Sequence, residues 1–316
     1  MTFHPDALPD LSGKVYIVTG GNSGVGYNTV LRLAQHGAHV YMCARSSTKA
    51  ADAIGKITTI YPSAKITHLP IDHCDLSSVV SAANLFLSKE QVLHGLVNNA
   101  GIMATPFQLT KDGHEAQWQT NYLAHWVLTS HLLPILLATS KTLPAGSVRL
   151  VNLASSGHWS APKGGINFAD TSLESGSTMT RYGQSKLGNV LHAKTINALY
   201  GPNSPSAKGE TGEIWTAAVH PGLVKSELAN GAENTWIFKT AVVIFNIFGL
   251  QQSGDVGSFT SLFCAASPDM NAKQSGTYFQ QIAEAGWQSG KAKDLMLAER
   301  LEEWTKGKMV KEKWIE

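Results

Sequence analysis

One stretch decides the fold of this chain: Thr19-Gly20-Gly21-Asn22-Ser23-Gly24-Val25-Gly26. It stands between an apolar run at 15–19 and a segment of helical period at 24–36. Glycines at such a junction let the backbone turn tightly and approach an anion, whose charge the first N–H groups of the helix meet. Any sharp turn can use glycine, so the loop alone is weak evidence. Its position between a strand and a helix indicates dinucleotide binding.

Short apolar runs alternate with helical segments along the chain. Continuous Val/Ile/Leu runs are typical of parallel strands that are buried on both faces. The alternation predicts an α/β fold, a single doubly wound Rossmann-type parallel sheet with helices on both faces. Strands are predicted at 15–19, 38–43, 65–71, 93–98, 147–153 and 213–219. Helices are predicted at 24–36, 77–89, 112–138 and 178–200.

The remainder of the chain predicts loops and a closing unit. Segments 160–177 and 201–212 are rich in Gly, Ser, Pro and Asp and should lie on the surface. A last strand is expected at 276–280. A closing helix is expected at 294–304, with three residues facing inward, namely Leu295, Ala298 and Leu301.

The domain organisation is predicted to be simple. No repeat, low-complexity tract or break in composition divides the chain, so residues 1–316 are expected to form one NAD(P)-binding domain with a substrate-covering insertion at about 225–260. Within it, 236–250 is strongly apolar but interrupted by Lys239 and Asn246, and it is shorter than the roughly 20 residues of a bilayer span. A flap over an apolar ligand and a hydrophobic contact with a partner or membrane surface both remain open.

Composition excludes several classes of function. The 25 basic and 23 acidic residues give a formal charge of +2, too small for a nucleic-acid-binding surface. The three cysteines form no Cys-x-x-Cys pair, which argues against a disulfide scaffold or zinc site and fits a reducing, cytoplasmic compartment. The twelve histidines make no His-Glu-x-x-His motif, so no metal site is expected. The first residues lack the basic and apolar regions of a secretory signal.

A tyrosine and a lysine stand four residues apart in the stretch Tyr182-Gly183-Gln184-Ser185-Lys186. On a helix they share one face, one turn apart. An ammonium that close favours the phenolate, so we expect the pKa of Tyr182 to fall below its usual value of about 10. Such a tyrosine could exchange a proton during a reaction. The alternative is a pair of ordinary neighbours on a helix surface.

Further motifs accompany the glycine-rich loop and Tyr182-x-x-x-Lys186 in a fixed order. They are Asp72 after the third strand, Asn98-Asn99-Ala100-Gly101, Asn121, Asn152-Leu153-Ala154-Ser155 and His220-Pro221-Gly222. With these motifs the chain resembles the short-chain dehydrogenase/reductase family over about 14–226. The sequences of 110–123 and 220–224 are similar to the retinol-dehydrogenase-like and WW-domain-oxidoreductase-like branch of that family.

The resemblance implies four catalytic residues. Ser155 would bind the reacting oxygen, Tyr182 would transfer the proton, and Lys186 would lower the pKa of Tyr182 and bind the nicotinamide ribose. Asn121 would hold a water that links the lysine to solvent. Ser156 is a rival for the serine role, because neighbours on an extended chain point in opposite directions, but the pattern Asn-x-x-Ser selects Ser155.

The cofactor-binding residues follow from the same motifs. Asn99, Ser155 and Pro221 also lie at carboxyl ends of predicted strands, the edge where open α/β sheets bind ligands. His73, after Asp72, stands where many relatives have an apolar residue, and Ser226 replaces the commoner threonine. The expected cofactor contacts are Gly20, Asn22, Ser23, Gly24, Val25, Gly26, Arg45, Asp72, Asn99, Tyr182, Lys186, Val224 and Ser226.

The end of the second strand indicates NADP(H) rather than NAD(H). An acidic residue there would bind the ribose hydroxyls of NAD. Ala44 takes that place instead, and Arg45 follows, with Ser46 and Ser47 as further hydrogen-bond donors. An arginine can bind the extra phosphate of NADP through paired hydrogen bonds. The alternative for Arg45 is a solvated surface side chain.

Together these features predict an NADP(H)-dependent oxidoreductase that interconverts a carbonyl and an alcohol. If His158, Trp159 and the 236–248 segment line the pocket, the substrate is a small apolar or aromatic molecule. A homo-oligomer and contact with a membrane surface are compatible with the sequence. One alternative is a catalytically silent dinucleotide-binding regulatory or scaffold protein. A nucleotide-sugar epimerase or dehydratase is disfavoured because its usual Gly-x-x-Gly-x-x-Gly loop is missing.

Overall fold

The computed structural model describes residues 3–224 and 252–316. In these residues a mostly parallel eight-stranded sheet runs through the molecule, in the order β3-β2-β1-β4-β5-β6-β7-β8. Only β7 and β8 pair antiparallel. The strands are β1 Val15–Thr19, β2 His39–Ala44, β3 Lys65–Pro70, β4 Gly95–Asn98, β5 Arg149–Leu153, β6 Trp215–Val219, β7 Thr277–Gln280 and β8 Glu284–Ala285.

Helices cover both faces of this sheet, as the sequence predicts. Successive strand residues alternate between two apolar cores: Ile17 packs into one, whereas Val18 packs into the other. The first core is covered by α3 Leu76–Leu87, α5 Ala124–Ser140, α6 Thr178–Tyr200 and α9 Leu295–Lys311. The second core is covered by α1 Gly24–Gln35, α2 Ser47–Ile60 and α8 Gly254–Ala266. The doubly wound α/β fold is confirmed.

The predicted helix at 112–138 begins later and is not uniform. Residues 109–115 form a hydrogen-bonded turn in which the N–H of Thr110 donates to the carbonyl of His114 at 2.8 Å. Glu115 then caps a short helix, α4 Ala116–Trp118, by accepting the N–H of Trp118 at 2.7 Å. A π-helical turn, Gln119–Leu123, joins α4 to α5. By length and composition the stretch Ala116–Ser140 could cross a membrane, but most of it is buried inside the protein, as in a core helix.

Three expectations differ from the described structure in detail. Leu295 is 64% exposed, so its inward placement is wrong; it opens α9, and the buried face begins at Leu297 and continues through Ala298 and Leu301. The loop at 201–212 contains one helical turn, α7 Pro205–Lys208. Helix α2 was not predicted.

The expected insertion at about 225–260 lies mostly outside the described residues, which resume at 252. Its last part belongs to α8, whose Phe259 and Leu262 are buried against the sheet. The aspartate at the start of α8, Asp255, pairs with Arg32 of α1 at 2.8 Å. Residues 254–260 are therefore part of the core of the fold.

Candidate active site

The turn after β5 brings Ser155 to Tyr182. Ser155 begins a 3-10 turn, Ser156–Ser160, by accepting the N–H of Gly157 at 3.0 Å. A Cβ on Gly157 would lie 2.6 Å from Cε1 of Tyr182, so only glycine lets this turn pack against the phenol ring. The Ser155 hydroxyl faces the phenol, whereas Ser156 is exposed.

Lys186 follows Tyr182 by one turn of α6, and both side chains are buried. Its Nζ lies 5.8 Å from the centre of the Tyr182 ring and donates to the carbonyl of Leu153 at 2.9 Å. The amide of Asn189 donates to the same carbonyl at 2.9 Å. Leu153 is the last residue of β5, so the lysine joins α6 to the strand end that carries Ser155.

The pKa values of this pair differ from the sequence expectation. Burial raises the pKa of Tyr182 to about 12, and the nearby Ser155 hydroxyl opposes this rise. Burial also lowers the pKa of Lys186 to about 7. The expected lowering of the tyrosine pKa is therefore wrong for the chain by itself: the ammonium that should produce it is itself desolvated, which favours the neutral amine.

Asn121 lies in the π-helical turn and is held on three sides. Its Oδ1 accepts the N–H of Ile102 at 2.8 Å, and its Nδ2 donates to the carbonyl of Ile102 at 3.0 Å and to Oγ of Ser185 at 2.8 Å. A Cβ on Gly101 would lie 3.0 Å from Oδ1 of Asn121 and 3.3 Å from Nζ of Lys186. The structure thus brings together all four predicted catalytic residues at one edge of the sheet.

The glycine-rich loop lies at the same edge, between β1 and α1. Gly20 and Gly24 have φ values of 62° and 56°, which favour glycine. A Cβ on Gly26 would collide with the carbonyl of Gly20 and lie 2.5 Å from Nδ2 of Asn99, so helix and loop meet at contact distance. Asn99 secures the loop by donating to the carbonyl of Thr19 at 2.7 Å.

The first turn of α1 fits a phosphate. Ser23 begins the helix, but its side chain makes no capping hydrogen bond, and Asn22 and Ser23 are half-buried. Within residues 3–224 and 252–316, the first N–H groups of the helix are thus free of a side-chain cap, as an anion site requires. Val25 is instead buried in the apolar core. These residues fit the pyrophosphate of a dinucleotide, with Val25 contributing through its backbone.

The predicted adenosine end is formed by residues after β2 and β3. Arg45 is 76% exposed on its side chain and lies 3.9 Å from the carboxylate of Asp72. Asp72 also accepts the N–H of Cys74 at 2.9 Å. His73 is buried, and in the described part of the chain its Nε2 has no hydrogen-bond partner. Burial lowers the pKa of His73 to about 4.

Only some of the other predicted cofactor contacts lie within the described residues. Val224 forms a bridge with Gln252 beside α8. Ser226 and the apolar 236–250 stretch lie outside the described residues. Among those that are described, no group of three His, Cys, Asp or Glu side chains could hold a metal ion.

The aromatic residues near the site have different environments. His158 is buried; its Nδ1 lies 2.7 Å from the carbonyl of Ser155, and its Nε2 accepts the N–H of Ser289 at 3.1 Å. Trp159 is 55% exposed, and its ring centre lies 6.4 Å from that of Trp287, which is 83% exposed. His158 therefore fastens the serine turn, whereas the two tryptophans form an open aromatic pair.

Sequence reasoning missed Trp287 and His125. Trp287 lies in an irregular segment after β8 with no motif to mark it. His125 follows Asn121 by four residues on a predicted helix, and this spacing was a usable signal. The Nδ1 atom of His125 lies 2.9 Å from the carbonyl oxygen of Asn121.

Comparison with known proteins decides the family. The family model described as short chain dehydrogenase matches residues 14–235.

The chain belongs to the short-chain dehydrogenase family.

Curated relatives of this short-chain dehydrogenase agree with that assignment. It is 51% identical over 309 residues to the short-chain dehydrogenase/reductase drtF of Aspergillus calidoustus, covering 97% of each chain. It is 34% identical over 293 residues to mouse retinol dehydrogenase 12, covering 92% of this chain and 84% of the relative. The second similarity agrees with the retinol-dehydrogenase-like branch expected from the motifs.

Solved structures of other proteins show the same fold. An uncharacterised protein from Mycobacterium paratuberculosis is 27% identical, with a TM-score of 0.71 and coverage of 97% of this chain and 98% of that one. The Pseudomonas aeruginosa RhlG/NADP active-site complex is 21% identical, with a TM-score of 0.63 and coverage of 89% and 98%. The chain is therefore a short-chain dehydrogenase/reductase with a Rossmann-type sheet. Members of this family are oxidoreductases that bind a nicotinamide dinucleotide.

Proposed function

We propose that this short-chain dehydrogenase/reductase interconverts a carbonyl and an alcohol on a small apolar or aromatic molecule, with NADP(H) as the cofactor. The observation that carries the proposal is the group of hydroxyl and amine side chains at the ligand edge of the sheet. A Cβ on Gly157 would lie 3.3 Å from Oγ of Ser155 and 2.6 Å from the Tyr182 ring, so the two hydroxyl residues are neighbours, and Lys186 stands one helical turn further on, bonded to the end of β5.

In this proposal each of the four residues has a separate role in proton transfer. The bound nicotinamide ring supplies or accepts the hydride. Ser155 donates a hydrogen bond to the carbonyl oxygen as negative charge develops there. Tyr182, protonated at neutral pH because its pKa is about 12, gives its proton to that oxygen during reduction. Lys186 binds the nicotinamide ribose and favours loss of the proton from Tyr182. Asn121 holds a water beside Lys186.

The preference for NADP(H) rests on Arg45. The side chain is exposed at the carboxyl end of β2, and its ion pair with Asp72 is 3.9 Å long. Exposed pairs of this kind contribute little to stability, so the guanidinium can turn toward a phosphate. Its planar donors match phosphate oxygens in pairs. RhlG, a protein of the same fold, has been solved with NADP.

The apolar character of the substrate is supported by Trp159 and Trp287. Trp159 lies in the turn that begins at Ser155, and Trp287, which follows β8, lies beside Trp159, so both are near the serine turn. Exposed aromatic side chains beside a catalytic group suit an apolar ligand, because they gain burial when it binds.

We further propose a cytoplasmic location. A homo-oligomer and contact with a membrane surface are both compatible with the proposed activity.

The deciding experiment is a titration with NADPH and NADH, followed by a panel of aromatic and aliphatic carbonyls and alcohols. We expect tighter binding of NADPH and its oxidation by at least one aromatic or apolar carbonyl. NADPH binding without turnover of any panel member would favour the silent scaffold instead.

Tyr182→Phe tests the mechanism within that assay. The variant removes only the hydroxyl, so we expect NADPH affinity to stay within about threefold while turnover falls by at least about 1000-fold, as for loss of an essential proton donor. Unchanged turnover in this variant would contradict the mechanism.

Arg45→Ala tests the cofactor preference. Loss of a charge-assisted contact should weaken NADPH binding about tenfold or more and leave NADH binding unchanged. Lys49→Ala, a change in the first turn of the adjacent α2, is the matched control. Equal weakening of both cofactors by Arg45→Ala would assign the arginine to the fold rather than to the phosphate.

A further inference from the structure

A buried histidine connects the cofactor loop to the catalytic helix. His125 lies at the start of α5 and is almost wholly buried. Its Nε2 is 2.8 Å from Oγ1 of Thr19, the last residue of β1. Its Nδ1 is 2.9 Å from the carbonyl oxygen of Asn121 in the π-helical turn. One imidazole ring therefore spans the two halves of the site.

The hydrogen bonds of Thr19 determine which ring nitrogen carries the proton. The hydroxyl oxygen of Thr19 accepts the N–H groups of Asn99 at 2.8 Å and Ala100 at 2.9 Å. These bonds occupy both of its lone pairs, so the hydroxyl must donate its own hydrogen. The acceptors within reach are Nε2 of His125 at 2.8 Å and the carbonyl of Val97 at 3.5 Å. The shorter contact makes Nε2 the acceptor.

An accepting Nε2 places the proton of the neutral ring on Nδ1. That N–H then donates to the carbonyl of Asn121, which is an acceptor only. Burial, and after it the adjacent His73, lower the pKa of His125 well below its usual value, so the ring is neutral at pH 7. The direction of every hydrogen bond from Thr19 to Asn121 is thereby fixed.

The far end of this chain of bonds lies beside the catalytic lysine. The Asn121 side chain bonds both backbone groups of Ile102 and donates to Ser185, the residue before Lys186. Ile102 follows Asn99 and Ala100, whose N–H groups bond Thr19. The bonds therefore close a ring through β1, the loop after β4, the π-helical turn and His125.

We propose that His125 is a positioning residue, fixed as the Nδ1–H tautomer, that couples the cofactor-binding loop at Thr19 to Asn121 beside the catalytic lysine. Its Nε2 holds Thr19 and with it the glycine-rich loop. Its Nδ1–H holds the carbonyl of Asn121 and with it the approach to Lys186. The two nitrogens thus support different properties, cofactor affinity and turnover.

The tautomer can be tested on the unaltered protein. In a sample with ¹⁵N-labelled histidine, the ring shifts of His125, assigned by comparison with the His125→Gln variant, should be those of a protonated Nδ1 and an unprotonated Nε2 at pH 7. An Nε2–H ring, or a charged ring, would overturn the proposal. This measurement needs no substrate, and His125→Asn can replace His125→Gln for the assignment if one of the two variants does not fold.

Two substitutions separate the roles of the nitrogens. Gln can place an amide oxygen near the position of Nε2, and Asn can place an amide N–H near that of Nδ1. We expect His125→Asn to weaken NADPH binding about fivefold or more with turnover within about threefold. We expect His125→Gln to do the reverse, with turnover lowered about tenfold or more and NADPH affinity within about threefold.

The matched control is His131→Gln, on the same helix, whose Nε2 lies 2.9 Å from the carbonyl of Trp314, away from the site. It should change neither NADPH affinity nor turnover. Parallel changes in the Gln and Asn variants of His125, as a merely structural residue would give, would overturn the proposal. Only the turnover measurement rests on the proposed function, so failure of that function is distinguishable from failure of the network.

Discussion

At the scale of single residues, burial determines the charge states of Lys186 and Tyr182. Lys186 is buried, donates a hydrogen bond to the carbonyl of Leu153, and has its pKa lowered by burial to about 7. Tyr182 is equally buried, and its pKa rises to about 12. Both shifts favour neutral side chains, so the chain alone holds the phenol in the protonated form that carbonyl reduction requires. A bound cofactor changes this balance only by displacing water or adding charge.

Lys186→Met should flatten the pH dependence of stability in the cofactor-free chain. The lysine pKa is 10.5 when exposed and about 7 when folded, so between these values the unfolded chain holds one more proton. Titration of Lys186 by itself therefore makes the free energy of unfolding rise with pH from 7 to 10, by at most about 1.4 kcal/mol per pH unit. The buried thiols of Cys43 and Cys264, whose pKa values burial raises, oppose this rise near pH 9, so the difference between parent and variant isolates the lysine. Above pH 10, Tyr182 acts in the opposite direction because the folded chain keeps its proton.

Urea unfolding at pH 7, 8 and 9 measures this slope. The Met variant should show a smaller rise than the parent, and Lys163→Met, at an exposed position, should leave the rise unchanged. Parent and Lys186→Met curves that run parallel would mean that the buried amine does not titrate in this range.

At the scale of elements, α6 carries Tyr182 and Lys186, the proposed proton-transfer pair. The local sequence contributes little to the geometry of this pair. Ser177 caps the helix by accepting the N–H of Thr180 at 3.0 Å. Tyr182 and Lys186 lie further along, where the helix is buried between the serine turn and the π-helical turn. The cap therefore stabilises the helix, while packing positions the two side chains.

Ser177→Ala should separate stability from activity. Loss of the cap should lower the free energy of unfolding by about 1 kcal/mol. Turnover and NADPH affinity should stay within about twofold, because packing rather than the cap holds the pair. Ser175→Ala, two residues earlier at an exposed position, is the control and should be neutral. A large loss of turnover at full stability would place the cap in the active site.

The extent to which the sequence predicts these elements follows from their burial. The central strands were predicted because continuous burial leaves a clear apolar pattern, whereas helix 178–200 buries many polar residues and was predicted around the Tyr182-x-x-x-Lys186 spacing. The π-helical turn at Asn121 was not, since no Gly or Pro marks it and its geometry depends on tertiary hydrogen bonds. The sign of the pKa shift at Tyr182 was also wrong, because spacing predicts proximity to Lys186 and says nothing about the water around either group.

At the scale of the whole molecule, the two apolar cores determine which groups chemistry can reach. Cys43 lies in one core and Cys264 in the other, and burial raises the pKa of both thiols far above the usual value. Cys74 is half-buried, 3.4 Å from Oγ1 of Thr120, and its pKa is raised less. All three thiols are free, as the cysteine spacing indicates.

A thiol titration should follow this division. In the native protein we expect a thiol reagent to modify at most Cys74, and slowly, because thiolates react and burial disfavours them. In urea all three should react. Cys74→Ser should then leave the native protein without a reactive thiol, and fast modification of that variant would show that one core opens readily.

The last strand of the described sheet limits pairing with a strand of another molecule. Its final strand, β8, is only two residues long, runs antiparallel to β7 and carries the charged Glu284. A long, flat outer strand offers unpaired backbone groups to other chains, whereas a short and charged one offers few. The described chain therefore closes this side of its sheet against extension by another molecule's strand, which protects it from aggregation at high concentration.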